Sequence, residues 1–530
     1  MRYHKNVPGY YIENFGCRAT QADGAALERQ FEELGFSRAS TWGGAAIVVL
    51  NTCTVTAAAD QDARAAIRRI QRQNPAASIV VTGCYAQRAP QEIAALPGVT
   101  HVIGNSHKHR LAEIALPKNS EAPPAGAFVP ISELVSCSQR PMTDDQRPIF
   151  VSDIFAHTEL LAAPVFDAPS ERTRPNLKIQ DGCDNRCSFC VIPYVRGQSR
   201  SLAADRIIRE VNTLVASGYR EVVFSGINLG RWGRDLAIGS QLSAPSDPQR
   251  ATTNDRRLAS LIRAILSETS LEKLRISSVE PMDWTDDLIS LVASSPRIAK
   301  HAHVPMQSAS DAVLRRMHRK YRPWHYREKI EKIRAAMPTG AIGADVMVGF
   351  PGETDADFEA TRRMVEDLPF TYLHVFTYSA RPGTPAAAMP NQVPLHTARE
   401  RNRILRELAA AKKLAFMRGL IGTEIEAITL KSGTGAPFAP PALRSGSLRA
   451  SLAREASSHC HSEPPGAAPN RGDAERGMSV FPYTEALTDN YLKLHLQGRH
   501  EPNRWLRASV EDVNDGALVG CCVTESILST

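Results

Sequence analysis

Long apolar runs are missing from this sequence, and no window reaches the about 18 apolar residues a membrane helix needs, which excludes a helical span. The first residues, MRYHKNVPGYYIENFGC, lack the apolar stretch of a secretory signal. Aromatic residues are sparse at 6%, and Lys plus Arg (63) barely exceed Asp plus Glu (56). So small an excess does not establish nucleic-acid binding, although it permits a polyanionic partner. Cysteine is scarce too: ten in 530 residues are too few for a disulfide scaffold. These absences point to a soluble cytoplasmic protein without membrane association, where clustered thiols suit metal better than disulfides.

What is present is ordinary globular composition, 43% hydrophobic and 22% charged, over a length that predicts three or four domains at about 150 residues each. In 8–117, YYIENFGC, AAIVVLNTC and SIVVTGC read as strands of a covered parallel sheet, separated by helix-like stretches such as GAALERQFEELGF. Each of the three strands ends on cysteine. Residues 118–172 turn polar and Pro-rich and read as a linker or insertion. Within 173–412, six strand-like segments (NLKIQDGC, REVVFSGIN, EKLRISSVEP, HAHVPMQS, AIGADVMVGFPGE, TYLHVFTYS) alternate with amphipathic stretches, predicting a partial (β/α)6 barrel. A loop at 238–256 interrupts it. Residues 413–530 predict a small β-barrel from TEIEAITL, YLKLHLQ and GALVGCCVTESIL, split by a Gly/Pro/Ala/Ser-rich insertion at 432–477 that reads as disordered.

Cys183, Cys187 and Cys190 form C-x3-C-x2-C directly after the strand-like LKIQDG. Three thiolates on one loop can hold an iron–sulfur cluster, normally completed by a fourth cysteine, so one iron is left open for another ligand. A zinc loop with a distant fourth ligand is the alternative. Cys17, Cys53 and Cys84 are too far apart for one metal loop, yet at the carboxyl ends of three parallel strands they would meet in one crevice. Three separate buried cysteines are the plainer alternative. Cys137, Cys460, Cys521 and Cys522 show no partner pattern. In RRMHRKYRPWHYREK (315–329), the cations Arg315, Arg316, Arg319, Lys320 and Arg322 alternate with Tyr321, Trp324 and Tyr326, a combination suited to phosphates and stacked bases. A solvated helix face competes with that reading. The turn Gly349-Phe-Pro-Gly352-Glu353-Thr354 permits close backbone approach to a ligand, or is a β-α turn capped by Thr354.

The stretch KIQDGCDNRCSFCVIPYVRGQSRS resembles the radical S-adenosylmethionine methylthiotransferases, as do FSGINLG, RISSVEP, HVPMQSASD, DVMVGFPGETDADFEAT and HVFTYSARPGTPAA. The resemblance implies that S-adenosylmethionine occupies the open iron at Cys183, Cys187 and Cys190 and is cleaved there to a 5′-deoxyadenosyl radical. FGCRATQ, LNTCTVT and VTGCYAQR are similar to the family's N-terminal domain, which implies a second [4Fe-4S] cluster on Cys17, Cys53 and Cys84. Ser225, Gly226, Ser278, Glu280, Gly349, Gly352 and Glu353 become candidate S-adenosylmethionine contacts on the same ground. NTCTVT, VTGCYAQR, PGVTHVIGN and RPGTPAA look most like the subgroup acting on N6-threonylcarbamoyladenosine at tRNA position 37. Isopentenyladenosine or a ribosomal protein is the rival acceptor, and a non-catalytic metal-stabilised RNA-binding protein the rival class. The implied partners are the tRNA anticodon loop and an external one-electron donor such as a flavodoxin or ferredoxin. The terminal segment resembles the small RNA-binding TRAM barrel. Two positions depart from the family pattern: Thr20 stands in place of Asn, and Ala309 in place of Gly.

Overall fold

The structure is a computed structural model that describes residues 9–116, 148–157, 174–236, 257–430 and 483–525. The chain forms two compact units, residues 1–419 with 489–491, and residues 420–488 with 492–530.

The first unit begins with a parallel sheet of β1 (Gly9–Asn14), β2 (Ser37–Arg38), β3 (Ile47–Thr52), β4 (Ser78–Gly83), β5 (Val99–Gly104) and β6 (Ile149–Phe150), in the order β2-β1-β3-β4-β5-β6. β3 is buried along its whole length because helices cover both faces of the sheet. On one face, α1 (Arg18–Glu33) inserts Leu27 and Phe31, and Phe31 stacks on Tyr10 at 4.9 Å between ring centres. On the other, α2 (Ala57–Gln73) presents Ala63, Ile67 and Ile70 at helical spacing, and its first turn is capped by the Thr56 hydroxyl. Burying each such isoleucine is worth about 1.5–3 kcal/mol. Short helices α3 (Cys84–Arg88), α4 (Pro90–Ala94) and α5 (Leu111–Ala115) complete the layer. The segment expected to be a linker or insertion, 118–172, contributes β6 to the sheet edge against β5; 117–147 and 158–173 lie outside the described residues.

Six further parallel strands follow, as the sequence predicts: β7 (Asn176–Asp181), β9 (Glu221–Gly226), β10 (Lys273–Ile276), β11 (His301–His303), β12 (Ala341–Val348) and β13 (Tyr372–Thr377), with β8 (Arg200–Ser201) antiparallel on the edge of β7. They run as two sheets, β10-β9-β7-β8 and β11-β12-β13, whose junction is bridged by Leu274 and Ile298 and by the Val279 amide donating to His303 O at 3.1 Å. Helices α6 (Ile192–Arg196), α7 (Ala204–Ala216), α8 (Arg257–Glu268), α9 (Asp286–Ser294), α10 (Asp311–Arg316), α11 (Pro323–Ala336), α12 (Asp355–Asp367) and α13 (Leu395–Arg418) connect or follow the strands. Strand periodicity sorts the side chains: Leu177, Ile179, Val222, Phe224, Leu274 and Ile276 join the apolar core, while the alternating Lys178, Gln180, Ser225, Arg275, His303 and Asp345 belong to the opposite face. That face is therefore polar. The boundary expected at 412 falls inside α13, which continues to Arg418.

The second unit is a closed barrel of β14 (Glu424–Thr429), β15 (Tyr483–Thr488), β16 (Lys493–Gln497), β17 (Trp505–Asn514) and β18 (Ala517–Glu525), in the order β14-β15-β16-β18-β17. Closure leaves no free strand edge. The insertion at 432–477 and the loop at 238–256 lie outside the described residues.

Within the first unit, the N-terminal layer and the barrel are fastened by buried charge. Asp23 on α1 takes Lys108 Nζ and Arg196 Nη2 at 3.0 Å each, and bonds Lys178 on β7 as well. Asp181 accepts Lys178 Nζ at 2.9 Å and both of its oxygens meet Arg196 Nη1, at 3.0 and 3.1 Å. Burial alone would raise both carboxyl pKa values, but Lys108, Lys178 and Arg196 around Asp23, and Arg196, Lys178 and Arg200 around Asp181, hold them below the ordinary range. Asp23→Asn is expected to lower stability by about 3–5 kcal/mol, because it uncovers buried cations. Asp205→Asn, which breaks the exposed pair with Arg209, should leave the thermal midpoint unchanged. The same depressed carboxylates predict stability that is complete above the unfolded carboxylate pKa of about 3.9 and declines as pH falls below it, a dependence the Asp23→Asn protein should show less of in thermal melts across pH.

Candidate functional site

Cys17, Cys53 and Cys84 stand at the carboxyl ends of three adjacent strands. Cys17 caps α1 directly after the two-residue loop Phe15-Gly16 that follows β1, Cys53 directly follows β3, and Cys84 opens α3 after β4. The register sets their level, with Asn14 opposite Asn51 and Thr52 opposite Gly83. Two glycines make the approach possible. At Gly16 (φ +102°) a Cβ would lie 2.6 Å from Cys53 Cβ, and at Gly83 (φ +99°) it would lie 2.3 Å from Thr52 O. Burial pushes the Cys53 thiol up to about 11, with the charges of Cys84 and Cys17 adding to it. Crowding of negative charge on Cys53 in this way makes a site that favours a cation. Thr20, where the family pattern has Asn, lies with its hydroxyl 3.6 Å from Cys17 Sγ. The neighbouring Asn105 amide reaches Cys84 Sγ at 3.7 Å and Val195 O at 2.7 Å.

The second thiol set lies on the loop between β7 and α6. Its backbone is held by Cys183 N to Gly197 O (3.1 Å), Ser188 N to Met317 O (3.2 Å) and Ala386 N to Ser188 O (2.9 Å). Asn228 donates to Cys183 Sγ at 3.6 Å and Arg319 to Cys187 Sγ at 3.2 Å. Cys190 is pushed up to about 12 by burial first, then by the charges of Cys187 and Cys183. No disulfide joins any of the six thiols. Three soft, mutually repelling donors in each set fit an iron–sulfur cluster. Beside Cys187, a small open cleft is lined by Asn185, Arg231, Glu280, Arg319 and Lys320 among others.

The two sets are joined by ionic groups that sequence reading missed. Arg196, a few residues past Cys190, interacts electrostatically with both Cys84 and Cys17 while binding Asp23 and Asp181. Behind Cys53, Thr54 donates to Asp60 Oδ1 at 2.6 Å, and Arg88 and Arg381 both bond Thr54 and Asp60. Arg381 belongs to the RPGTPAA segment, so this piece of sequence anchors the Cys53 loop. Thr54, Arg88, Asp181, Arg196 and Arg381 stand inside the quoted segments, whereas Asp23 and Asp60 carried no sequence signal.

Residues 177–365 match the Radical SAM superfamily and residues 9–104 match Uncharacterized protein family UPF0004. The chain is 35% identical over 405 residues to the threonylcarbamoyladenosine tRNA methylthiotransferase MtaB of Bacillus subtilis, covering 76% of this chain and 80% of that protein. The chain belongs to the radical S-adenosylmethionine methylthiotransferase family. MtaB of Aquifex aeolicus is 34% identical over 422 residues (79% and 92% covered), and the tRNA-2-methylthio-N(6)-dimethylallyladenosine synthase of Endomicrobium trichonymphae 30% over 429 residues (80% and 90%). Membership brings S-adenosylmethionine and a [4Fe-4S] cluster as the cofactors of this methylthiotransferase.

The remaining candidate positions separate into two groups. Glu280 pairs with Arg319 beside Cys187, and Ser225 is buried with its hydroxyl unpartnered, so both keep polar atoms available near the thiols or on the polar face. Ser278 bonds His303 Nδ1 at 2.9 Å, and Gly226 packs against Gln180. The GFPGET turn is engaged within the fold: Glu353 accepts from Gly349 N (2.6 Å) and Arg401 (2.7 Å), Gly349 abuts Ala398, and Gly352 O receives Arg316. Thr354 and Asp357 make a capping box there. Gly349, Gly352 and Glu353 are thus parts of a β-α turn, in which Glu353 Oε1 is buried without a hydrogen-bond partner. The residues of the expected RNA surface at 315–329 divide, with Arg315, Lys320 and Trp324 exposed and others turned inward. Tyr321 and Tyr326 are buried with their hydroxyls donating to barrel carbonyls, Arg319 is 7% exposed and points at Cys187, and Arg322 binds Asp311; of the aromatic residues only Trp324 is exposed. Ala309, which replaces the family's Gly, has no positive φ, and its amide reaches Thr361 Oγ1 at 3.1 Å, so Ala fits.

Gly83→Ala is expected to cost about 1–3 kcal/mol through the left-handed backbone and the Thr52 contact. Anaerobically prepared protein should show a lower thermal midpoint and a loss of bound iron relative to an exposed control, Gly35→Ala, whose Cβ meets nothing within 4 Å but carries the same positive φ. Equal iron retention in both would show that Gly83 does not position Cys84.

Proposed function

We propose that this enzyme methylthiolates C2 of N6-threonylcarbamoyladenosine at position 37 of tRNA. The observation that carries the reading is the pairing of two thiol triads, one on each α/β layer of a single unit, with Arg196 interacting with thiols of the first while lying just beyond the second. The names of the two most similar relatives described above support the substrate. On this reading Cys183, Cys187 and Cys190 hold one [4Fe-4S] cluster with S-adenosylmethionine, and Cys17, Cys53 and Cys84 hold another. When bound, the clusters and S-adenosylmethionine supply the one-electron and methyl-transfer chemistry, fed by a donor of the flavodoxin or ferredoxin class.

The chain's own residues do the positioning. Arg319, held by Glu280, places a fixed cation against Cys187, where it offsets the negative charge of a thiolate-bound cluster. Ser225 offers an unpartnered hydroxyl to a cofactor on the polar barrel face. Arg196, Lys108 and Lys178 give the Cys17, Cys53 and Cys84 side a positive surrounding that stabilises thiolates. The second unit is the proposed tRNA-gripping module, with exposed Lys493 and Arg499 on or beside β16 to meet phosphates. A cytoplasmic location belongs to the same proposal; among the described residues no helix is long and apolar enough to cross a membrane.

Mass spectrometry of tRNA nucleosides tests substrate and reaction together. A strain lacking the gene should lose the methylthio form of N6-threonylcarbamoyladenosine and regain it on complementation. Restoration of methylthio-dimethylallyladenosine instead would replace the substrate. In vitro, Cys84→Ala should keep dithionite-driven formation of 5′-deoxyadenosine, lose methylthiolation, and bind about half the iron. Full iron content with intact methylthiolation would remove Cys84 from the cluster.

A further inference from the structure

On the polar face of the barrel, three side chains that the proposed reaction does not use converge. His303 ends β11, Asp345 lies in β12, and His374 lies directly opposite Asp345 in the β12–β13 register. One ligand atom from each falls within 4.8 Å of the other two. His303 Nε2 lies 3.4 Å and His374 Nδ1 3.2 Å from the same oxygen, Asp345 Oδ1.

His374 Nδ1 and Asp345 share a hydrogen bond, while His303 Nε2, 3.4 Å from the same carboxylate oxygen, stands outside hydrogen-bonding geometry. His303 is 8% exposed, and its Nε2 has no hydrogen-bond partner although it is aimed at Asp345 and His374. Its other nitrogen stands 2.9 Å from Ser278 Oγ, and when Nδ1–H donates to that hydroxyl Nε2 keeps a free lone pair, as in a ligating histidine. Ligand atoms about 2.1 Å from a tetrahedral ion stand about 3.4 Å apart, which the two contacts to Asp345 Oδ1 already match. The side chain of His374 is 55% exposed, so the group is reachable from solvent.

We propose that His303, Asp345 and His374 form a binding site for one divalent first-row cation, separate from the two thiol sets and with at least one coordination position open. Two imidazoles and one carboxylate suit zinc, iron(II), cobalt or manganese, and zinc binds such donors more tightly than iron(II) or manganese. The site stands whatever the tRNA substrate is, because it rests on these three side chains alone.

Zinc is the probe. Tag-free protein carrying its iron–sulfur clusters is dialysed anaerobically against zinc chloride, passed over chelating resin, and analysed by plasma mass spectrometry. The wild type should retain about one zinc per chain, and His374→Gln and Asp345→Asn at least tenfold less, with iron content unchanged. Because His374 is exposed, its Gln variant keeps the fold, and iron content reports that directly. Zinc K-edge absorption of the wild type gives a second readout: a nitrogen and oxygen shell is expected. A wild type without zinc, variants that retain as much as the wild type, or a sulfur shell would each overturn the site.

Discussion

Charge buried where two α/β layers meet is the constraint on which the rest of the first unit depends. Asp23 comes from the N-terminal sheet domain and Asp181 from the barrel, and neither is tolerable out of water without cations. Lys108, Lys178 and Arg196 supply them from three different elements, so the two layers meet in one arrangement only. That arrangement fixes Cys17, which caps the helix carrying Asp23, relative to Cys183, which closes the strand carrying Lys178. The Asp60, Arg88 and Arg381 group repeats the device behind Cys53. Geometry that a radical reaction requires is in this way set by electrostatics rather than by the thiols themselves.

Much of this was legible in the chain. Short apolar runs ending on cysteine gave strand-end thiols, since a covered parallel strand is apolar throughout and α/β sheets carry their functional groups at carboxyl ends. The partial barrel followed from six repeated strand-like units, and the small terminal barrel from its alternating strands. The ionic joint was not legible, because residues 23, 60, 108, 178, 181, 196 and 381 meet only after folding and each alone looks like a surface charge. The same blindness to tertiary context misassigned Arg319 and Tyr321. Their stretch has the composition of an RNA-binding face, yet the chain turns the guanidinium toward Cys187 and the ring into the barrel core. Glu353 shows a second thing the chain could not: a family-like turn suggested a ligand contact, and the structure engages one oxygen of that carboxylate with Arg401.

The barrel's interior face divides labour by height. Arg275 and Glu221 pair low on the strands, Asp345 with its two histidines occupies the middle, and the thiol loop with Glu280 and Arg319 closes the carboxyl end. Period-two alternation makes this possible, because each strand gives one face to the apolar core and the other to polar chemistry without any loss of packing.

The joint between the layers is also unbalanced. Three fully buried cations face two carboxylates, a formal surplus of one before the partly exposed Arg200, 4.0 Å from Asp181, is counted. The nearest groups that could supply the missing anion are thiols such as Cys84, which interacts with both Lys108 and Arg196. Neutral thiols leave the surplus in place, whereas metal-bound thiolates cancel it. On the cluster assignment proposed above, the joint between the layers is therefore balanced in charge only when the thiols beside it are metal-bound.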